Sequence, residues 1–395
     1  MKDLTCIIIG GGHVGLGALK AIKEKTRGIA NGRRIRFVLI DKQSGHVRKI
    51  LLFRPAVCEE DIVVPWTHYK FFEGGEFVQG AVTFVDSEKK QIQYEDVQGN
   101  SVQMSYDLLV VAVGSVARQP DPDQGGISLN DLETAAVIRE RWRANLRQAV
   151  RESDPKERKQ LMTVAVAGAG ISGIETAAEL VLEMQKEASS LGLNPSDISV
   201  YLLSAQERLF MEAPEKVGRK LDQILSESGV TVIYNRKVLG EKAGVVTLSN
   251  GDRLSVSLCI WTIGLIPNPA LRSMGLPLNS DGQVVVDESY RVQGAPGVYS
   301  IGDCTRIVDP KTGKVDRMRC GDGSLQAERL GKVVVADLEG RTAPVHKSMV
   351  DVFCMGLGEN RGLVWGNKWG MNMILTGKIA WKIRKVAWDG GSRLL

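Results

Sequence analysis

A chain of 395 residues, 43% of them apolar, is long enough for two or three domains with sizeable cores. No segment approaches the roughly 20 apolar residues that span a bilayer, and the opening MKDLTCIIIGGG is too short and glycine-rich for a signal peptide. The net charge of +5 is uneven: residues 361–395 hold seven basic residues against the single acid Asp389, so the tail alone is +6 and the remainder −1. The rest of the chain offers no basic face and no recognition motif, which argues against nucleic acid as a partner. Six cysteines are scattered without a C-x-x-C, as expected of reduced thiols in a cytosol. Four dispersed histidines give no zinc spacing, and no metal site is expected.

The first element is the strand LTCIII, residues 4–9. It runs into Gly10-x-Gly12-x-x-Gly15 and the helix LGALKAIKEK. The first glycine permits a tight turn, the second lets backbone reach a pyrophosphate, and the third lets helix and strand pack closely. The helix amino terminus then faces the phosphates with partial positive charge. The next strand, RIRFVLID, ends in Asp41, an acid placed to bind a ribose hydroxyl pair. Asp41 lies 26 residues past Gly15 because TRGIANGR lengthens the connection; the usual interval is ~20. YDLLVVAVGS (106–115) is an apolar strand that exits at Gly114.

A second cradle follows, Gly168-x-Gly170-x-x-Gly173, between the strand TVAVA and the helix IETAAELVLEMQKE. Its partner strand, DISVYLLS, ends in Ser204 rather than an acid. An acid there favours NAD, and its loss beside an arginine accommodates the extra phosphate of NADP. Arg208 is either the partner of that phosphate or an ordinary surface arginine, so NAD against NADP stays open. CIWTIGLIPNP (259–269) is another strand-to-glycine exit, at Gly264. GVYSIGDC (297–304) ends a strand in Gly302-Asp303, an acid placed to bond a sugar-like hydroxyl. The expected fold is α/β, with two Rossmann-like dinucleotide-binding domains, one inserted in the other. The outer domain takes residues 1–118 and 258–337, the inserted one 119–257, and a C-terminal segment 338–395.

That segment carries four of the seven tryptophans: Trp365, Trp369, Trp381 and Trp388. Laid on a helix, residues 371–388 put Leu375, Ile379, Ile383 and Val386 on one stripe. Lys378, Lys382 and Lys385 run beside it, flanked by Trp381 and Trp388. Tryptophan with lysine at an apolar edge suits a bilayer interface. The alternative is a helix that packs its stripe on the protein.

Together GGGHVG, YDLLVVAVGS, GAGISGIE, IWTIG and GVYSIGDC resemble the two-dinucleotide-binding-domain flavoproteins of the pyridine nucleotide-disulfide oxidoreductase superfamily, over about residues 3–340. The resemblance implies FAD on the first cradle, with Gly302-Asp303 as a second FAD contact, and NAD(P)H as co-substrate on the second. The cysteine pairs of the glutathione-reductase-like and thioredoxin-reductase branches are absent, as is the mid-chain cysteine of sulfide:quinone reductases; Cys58 reads as packing. DKQSGHVRKILLFRPAV, DLETAAVIRERWRANLRQAV, GLGENRG and LTGKIAW are similar to type II NADH:quinone oxidoreductases and their apoptosis-inducing-factor-like relatives. That likeness implies a catalytic role for Glu175 of GISGIE, in nicotinamide placement and proton handling. The plain alternative is a carboxylate that complements a helix dipole. Two departures bear on the acceptor. Leu325 and Arg329 stand where the bacterial quinone reductases carry glutamines, and Val113 replaces a threonine.

The resemblance therefore implies hydride transfer from NAD(P)H to FAD, then electron transfer to a quinone. Two alternatives stand beside it: a soluble small-molecule or biosynthetic acceptor, and a nicotinamide-responsive flavoprotein with a binding or signalling role. The expected partners are a small-molecule electron acceptor, a membrane surface through the basic tail, and a second copy in a homodimer. The expected location is cytoplasmic, or peripheral on the inner face of the membrane.

Overall fold

The structure is a computed structural model that describes residues 3–368 and 370–393. In the first lobe, β1 (Leu4–Ile9) is buried at every position but Thr5, the continuous apolar pattern of a parallel strand covered on both faces. α1 (His13–Thr26) follows, then β2 (Arg33–Asp41), β3 (Glu76–Asp86), β4 (Gln91–Asp96), β5 (Ser101–Ser105) and β6 (Leu108–Val111). TRGIANGR does lengthen the connection to β2: Arg27 and Gly28 turn the chain, and Ile29–Ala30 pairs back on Arg33–Arg34.

The second lobe begins with the short strand Ile127–Ser128 and α2 (Leu132–Ala149), whose Asp131 caps its amino terminus. β7 (Thr163–Ala167), α3 (Ile171–Ser190), β8 (Ser199–Leu203), α4 (Glu215–Ser228), β9 (Val230–Ile233) and β10 (Leu258–Trp261) complete it. The chain returns to the first lobe with β11 (Val298–Ser300) and α5 (Cys320–Leu338).

Two sheets result. The first has the order β11-β6-β1-β2-β3-β4-β5, parallel as far as β3 and antiparallel beyond it. The second is wholly parallel: Ile127–Ser128, β10, β7, β8, β9. One expected boundary moves. Residues 258–261 do not return to the outer sheet; Val164 pairs with Leu258 and Ala167 with Trp261, so this strand closes the inserted one. The crossing lies just beyond, where Ser115–Ala117 pairs antiparallel with Leu265–Pro267 and ties the outgoing and returning segments together.

The C-terminal part is a three-stranded antiparallel sheet, β12 (Asp351–Gly356), β13 (Gly362–Lys368) and β14 (Met371–Thr376), followed by α6 (Gly377–Arg393). A single helix over 371–388 is thus replaced by a strand and a helix. The pairing of β14 with β13, from Leu363–Thr376 to Lys368–Met371, satisfies backbone groups that a helix would have used locally. Gly377, at φ +73°, makes the turn between them.

The expected stripe is split as well. Leu375 belongs to β14, while Ile379 (65%), Ile383 (39%) and Val386 (69%) are exposed. α6 buries the opposite face, Ala380, Arg384 and Trp388, spaced four apart. Trp388 therefore points into the protein, against Phe53 (centroids 5.8 Å apart), while Trp381 lies beside Lys385 (5.4 Å). Trp369 and the side chains of Lys368 and Arg393 lie outside the described residues. Among the described residues no helix is long and apolar enough to cross a membrane.

One core unites the lobes: Leu51 and Phe53 of the first, Ile174, Ala178 and Val181 of α3, and Phe353, Trp365 and Trp388 of the C-terminal part.

Candidate functional site

The two cradles are built alike. Gly10 N–H donates to the Ile40 carbonyl (2.8 Å), and Gly168 N–H donates to the Leu203 carbonyl (3.0 Å). Both glycines adopt positive φ, +101° and +116°. A Cβ on Gly15 would lie 1.9 Å from Gly10 O, and one on Gly173 1.9 Å from Gly168 O. By contrast, Cβ positions on Gly12 and Gly170 meet nothing within 4 Å. These two glycines cap α1 and α3 without a side-chain hydrogen bond, which leaves first-turn N–H groups facing open space. That space fits a pyrophosphate. Gly114 and Gly264 end the parallel strands next to the interlobe link, at φ +67° and +98°, again facing open space.

The residues around the first cradle fit FAD. Asp41 ends β2 and accepts from Gly11 N–H (2.6 Å) and Gln43 N–H (2.7 Å). Asp303 accepts from the Ser115 hydroxyl (2.6 Å), and burial pushes its carboxyl above the usual range. Gly302 is held from behind: its N–H donates to Gln326 Oε1 (2.8 Å), whose amide in turn donates to Asp316 (2.8 Å). Lys49 lies within electrostatic reach of both Asp41 and Asp303. Solvent reaches it, but the protein crowding around it holds its ammonium below the usual lysine value. His13 Nδ1 and Trp66 Nε1, both against this cradle, are buried and lack a hydrogen-bond partner among the described residues. Lys49, Ser115, His13 and Trp66 escaped the sequence reading. His13 is a variable position inside the first glycine motif and the other three lie outside it, and only folding brings them to one cleft.

His46 stands behind this cleft, 1% exposed, with Nδ1 2.5 Å from the Tyr69 hydroxyl. Burial, aided by His13 and Arg48, lowers it from 6.5 to about 4. His46 is therefore neutral when folded but protonates when unfolded, so its contribution is complete above pH 6.5 and lost as pH falls toward 4. We expect about 2 kcal/mol of stability to disappear between pH 7 and pH 5 through this residue. Urea midpoints at the two pH values, compared with those of His46→Gln, measure it; an equal drop in the variant assigns the loss elsewhere.

At the second cradle two expected residues take defined places. The hydrogen bonds of Gly10 and Gly168 place Leu203 where Ile40 stands, and so Ser204 where Asp41 stands. Even the turn is kept: Ser204 Oγ accepts from Gln206 N–H (3.1 Å) as Asp41 accepts from Gln43. Arg208 is engaged by its own loop. Its guanidinium donates to the carbonyls of Phe210 (3.1 Å) and Met211 (3.0 Å), closing its own turn.

Glu175 sits one turn into α3 and is 2% exposed. Arg384 of α6, 7% exposed, grips it through two hydrogen bonds, Nε to Oε1 (2.8 Å) and Nη2 to Oε2 (2.7 Å). Gly356 N–H adds a third (2.8 Å). Burial alone would favour a neutral Arg384, but the Glu175 carboxylate outweighs it and holds the guanidinium charged. One turn along α3, Glu179 pairs with Arg54 of the first lobe (3.0 Å). α3 is thus tied on one face to both the tail and the first lobe. In sequence Arg384 was one cation of a basic run, with nothing to mark it as the buried one. Cys58 lies beside Arg54, its thiol pushed up by burial, as expected of a packing cysteine.

Comparison with known proteins agrees with this geometry. A family model for pyridine nucleotide-disulphide oxidoreductases matches residues 4–338. Oxidoreductase ptaL of Pestalotiopsis fici is 28% identical over 294 residues, 73% of this chain and 69% of that one. The type II NADH:quinone oxidoreductase of Haemophilus influenzae is 24% identical over 374 residues, 86% and 82% of the two chains. Among solved structures, NDH2 from Plasmodium falciparum in complex with NADH superposes with a TM-score of 0.80 at 19% identity, covering 98% of this chain and 94% of that one. With two matching cradles and a family match that spans both lobes, the chain belongs to the pyridine nucleotide-disulphide oxidoreductase family.

Proposed function

We propose that this protein is an FAD-dependent NAD(P)H oxidoreductase that delivers electrons to a quinone at a membrane surface. The observation that carries the reading is the pair of equivalent cradles joined by the antiparallel link at Ser115–Ala117 and Leu265–Pro267. FAD, when bound, supplies the hydride acceptance and electron delivery; the protein supplies binding and position. Gly12 and Gly170 leave the two helix termini open to pyrophosphates, and Asp41 would hold a ribose. Asp303, aimed by Ser115, would meet the ribityl side. Lys49 would bring positive charge within reach of both acids. Glu175 is a candidate catalytic residue; its grip by Arg384 fixes its carboxylate one turn into the helix of the second cradle. The quinone follows from the likeness to the Haemophilus influenzae enzyme, by that protein's name.

A soluble acceptor is the second reading. Arg329, at a position where quinone reductases carry glutamine, donates to the Tyr290 hydroxyl (3.0 Å) and the Lys347 carbonyl (3.3 Å) instead of facing an acceptor path. NAD(P)H oxidation by the yellow protein, with and without a short-chain quinone, separates the two. Quinone-dependent turnover is expected. Rapid flavin bleaching without quinone turnover transfers the assignment to a soluble acceptor.

The membrane side is the outer face of α6. Ile379, Ile383 and Val386 join exposed Met371 and Met373 of β14, with Lys378, Lys382 and Lys385 alongside. An apolar stripe edged by lysine suits the interface of an anionic bilayer, at about 1 kcal/mol per cation. It supports a peripheral position on the inner membrane face. The triple variant Ile379→Ser, Ile383→Ser, Val386→Ser leaves the buried face intact and should abolish co-sedimentation with phosphatidylglycerol vesicles. Unchanged sedimentation removes α6 from the contact.

A further inference from the structure

The position equivalent to the ribose-binding acid is now defined by hydrogen bonding rather than by counting residues. Ser204 occupies it, and no carboxylate stands there. Its hydroxyl is short, and the surrounding turn repeats the one at Asp41. An acid at this point accepts hydrogen bonds from the adenosine ribose and repels a 2′-phosphate; its replacement by serine removes both effects. A cation is then needed to meet the phosphate.

Arg208 is the nearest arginine in sequence, but its guanidinium closes the 208–211 turn. The structure supplies a different one. Arg236 follows β9, the strand next to β8, and its N–H donates to the Ser204 carbonyl (2.9 Å). Beside it Asn235 N–H donates to the Gln206 carbonyl (3.0 Å). The two loops are thus zipped together at the carboxyl ends of parallel strands, the edge where such sheets bind nucleotides. Among the described residues the Arg236 guanidinium makes one hydrogen bond, Nη1 to the Asn235 carbonyl (3.0 Å), and one long ion pair, Nε to Asp252 (3.9 Å). Its side chain is 34% exposed, so the remaining N–H groups are open to an anion. Exposed Glu207 on the same turn works against a phosphate, which makes this cation the deciding group.

We propose that the second cradle selects the 2′-phosphorylated dinucleotide, NADPH, with Arg236 binding the 2′-phosphate over Ser204. This rests on the second cradle being the nicotinamide site, and the test separates the two claims. Titrate the FAD-loaded protein with adenosine 2′,5′-bisphosphate and with 5′-AMP, which differ only in that phosphate. The bisphosphate should bind about 10- to 100-fold more tightly, as expected for charge-assisted hydrogen bonds to a phosphate. Arg236→Ala should bring the two affinities together, and Arg236→Lys should restore part of the difference. In turnover, the same alanine variant should cut the NADPH-to-NADH ratio of kcat/KM by a similar factor. Ser204→Asp should reverse the preference toward NADH.

Equal affinities in the unaltered protein overturn the proposal and leave the nicotinamide site standing. A preference that survives Arg236→Ala, with the melting temperature unchanged, overturns the assignment to Arg236. If neither ligand binds and neither dinucleotide bleaches the flavin, the nicotinamide-site reading fails and takes this proposal with it.

Discussion

Arg384→Ala is expected to destabilise the protein by about 3–5 kcal/mol, the usual cost of leaving one member of a buried ion pair without its partner. The Glu175 carboxylate would keep the Gly356 N–H bond but lose both contacts to the guanidinium. The cation–π contact of Arg384 with Trp388 (5.2 Å) would go as well. A urea titration followed by tryptophan fluorescence reads the loss directly. Removing both partners, as Glu175→Gln with Arg384→Met, should cost much less, because no buried charge then stands alone. The double variant also tests what Glu175 does. If it reduces its flavin at the unaltered rate, Glu175 is an anchor for the tail. If reduction slows at unchanged stability, the carboxylate positions the nicotinamide. The membrane test uses point variants on α6 because deleting residues 371–395 would also remove Arg384 and the strand that pairs with β13.

Gly15→Ala and Gly173→Ala should give opposite phenotypes from the same steric fault. Each added methyl would lie 1.9 Å from a backbone carbonyl oxygen within its own cradle, so the turn or the helix must shift. Overpacking against backbone costs about 1–3 kcal/mol or more, and here it falls on the phosphate site itself. Gly15→Ala should lower FAD affinity more than about 10-fold and yield protein that loses its colour on gel filtration. Gly173→Ala should stay yellow while its flavin is bleached more than about 10-fold more slowly at a fixed, sub-saturating NAD(P)H concentration. The visible spectrum and stopped-flow absorbance check both. If Gly173→Ala loses its flavin and Gly15→Ala keeps it, the assignment of cofactors to cradles is reversed.

Much of this was legible in the chain because its signals are local. A glycine at a fixed offset after an apolar strand is a short-range requirement, set by positive φ at Gly10 and Gly168 and by contact distance at Gly15 and Gly173. The strands LTCIII, TVAVA and GVYS were readable for a similar reason, since strands buried on both faces show as continuous apolar runs. The boundary near residue 258 was missed because such a run does not say which sheet it joins. Only the pairing of Val164 with Leu258 settles that. The tail was misread because residues 371–376 fit a helix or a strand equally well in isolation, and β13 supplied a partner that no local propensity reveals.

Charge divides the same way. The sequence by itself determined that two dinucleotide cradles exist, that the first ends in an acid and the second does not, and that the tail is basic. Tertiary structure decided which of those charges matter. It turned Arg384 inward onto Glu175, engaged Arg208 in its own turn, brought Arg236 to Ser204, and set Lys49 within electrostatic reach of Asp41 and Asp303. The physical reason is range. Backbone turns are fixed by neighbours a few residues away, whereas a buried charge finds its partner across 209 residues, as Arg384 does, only once both are enclosed in one core.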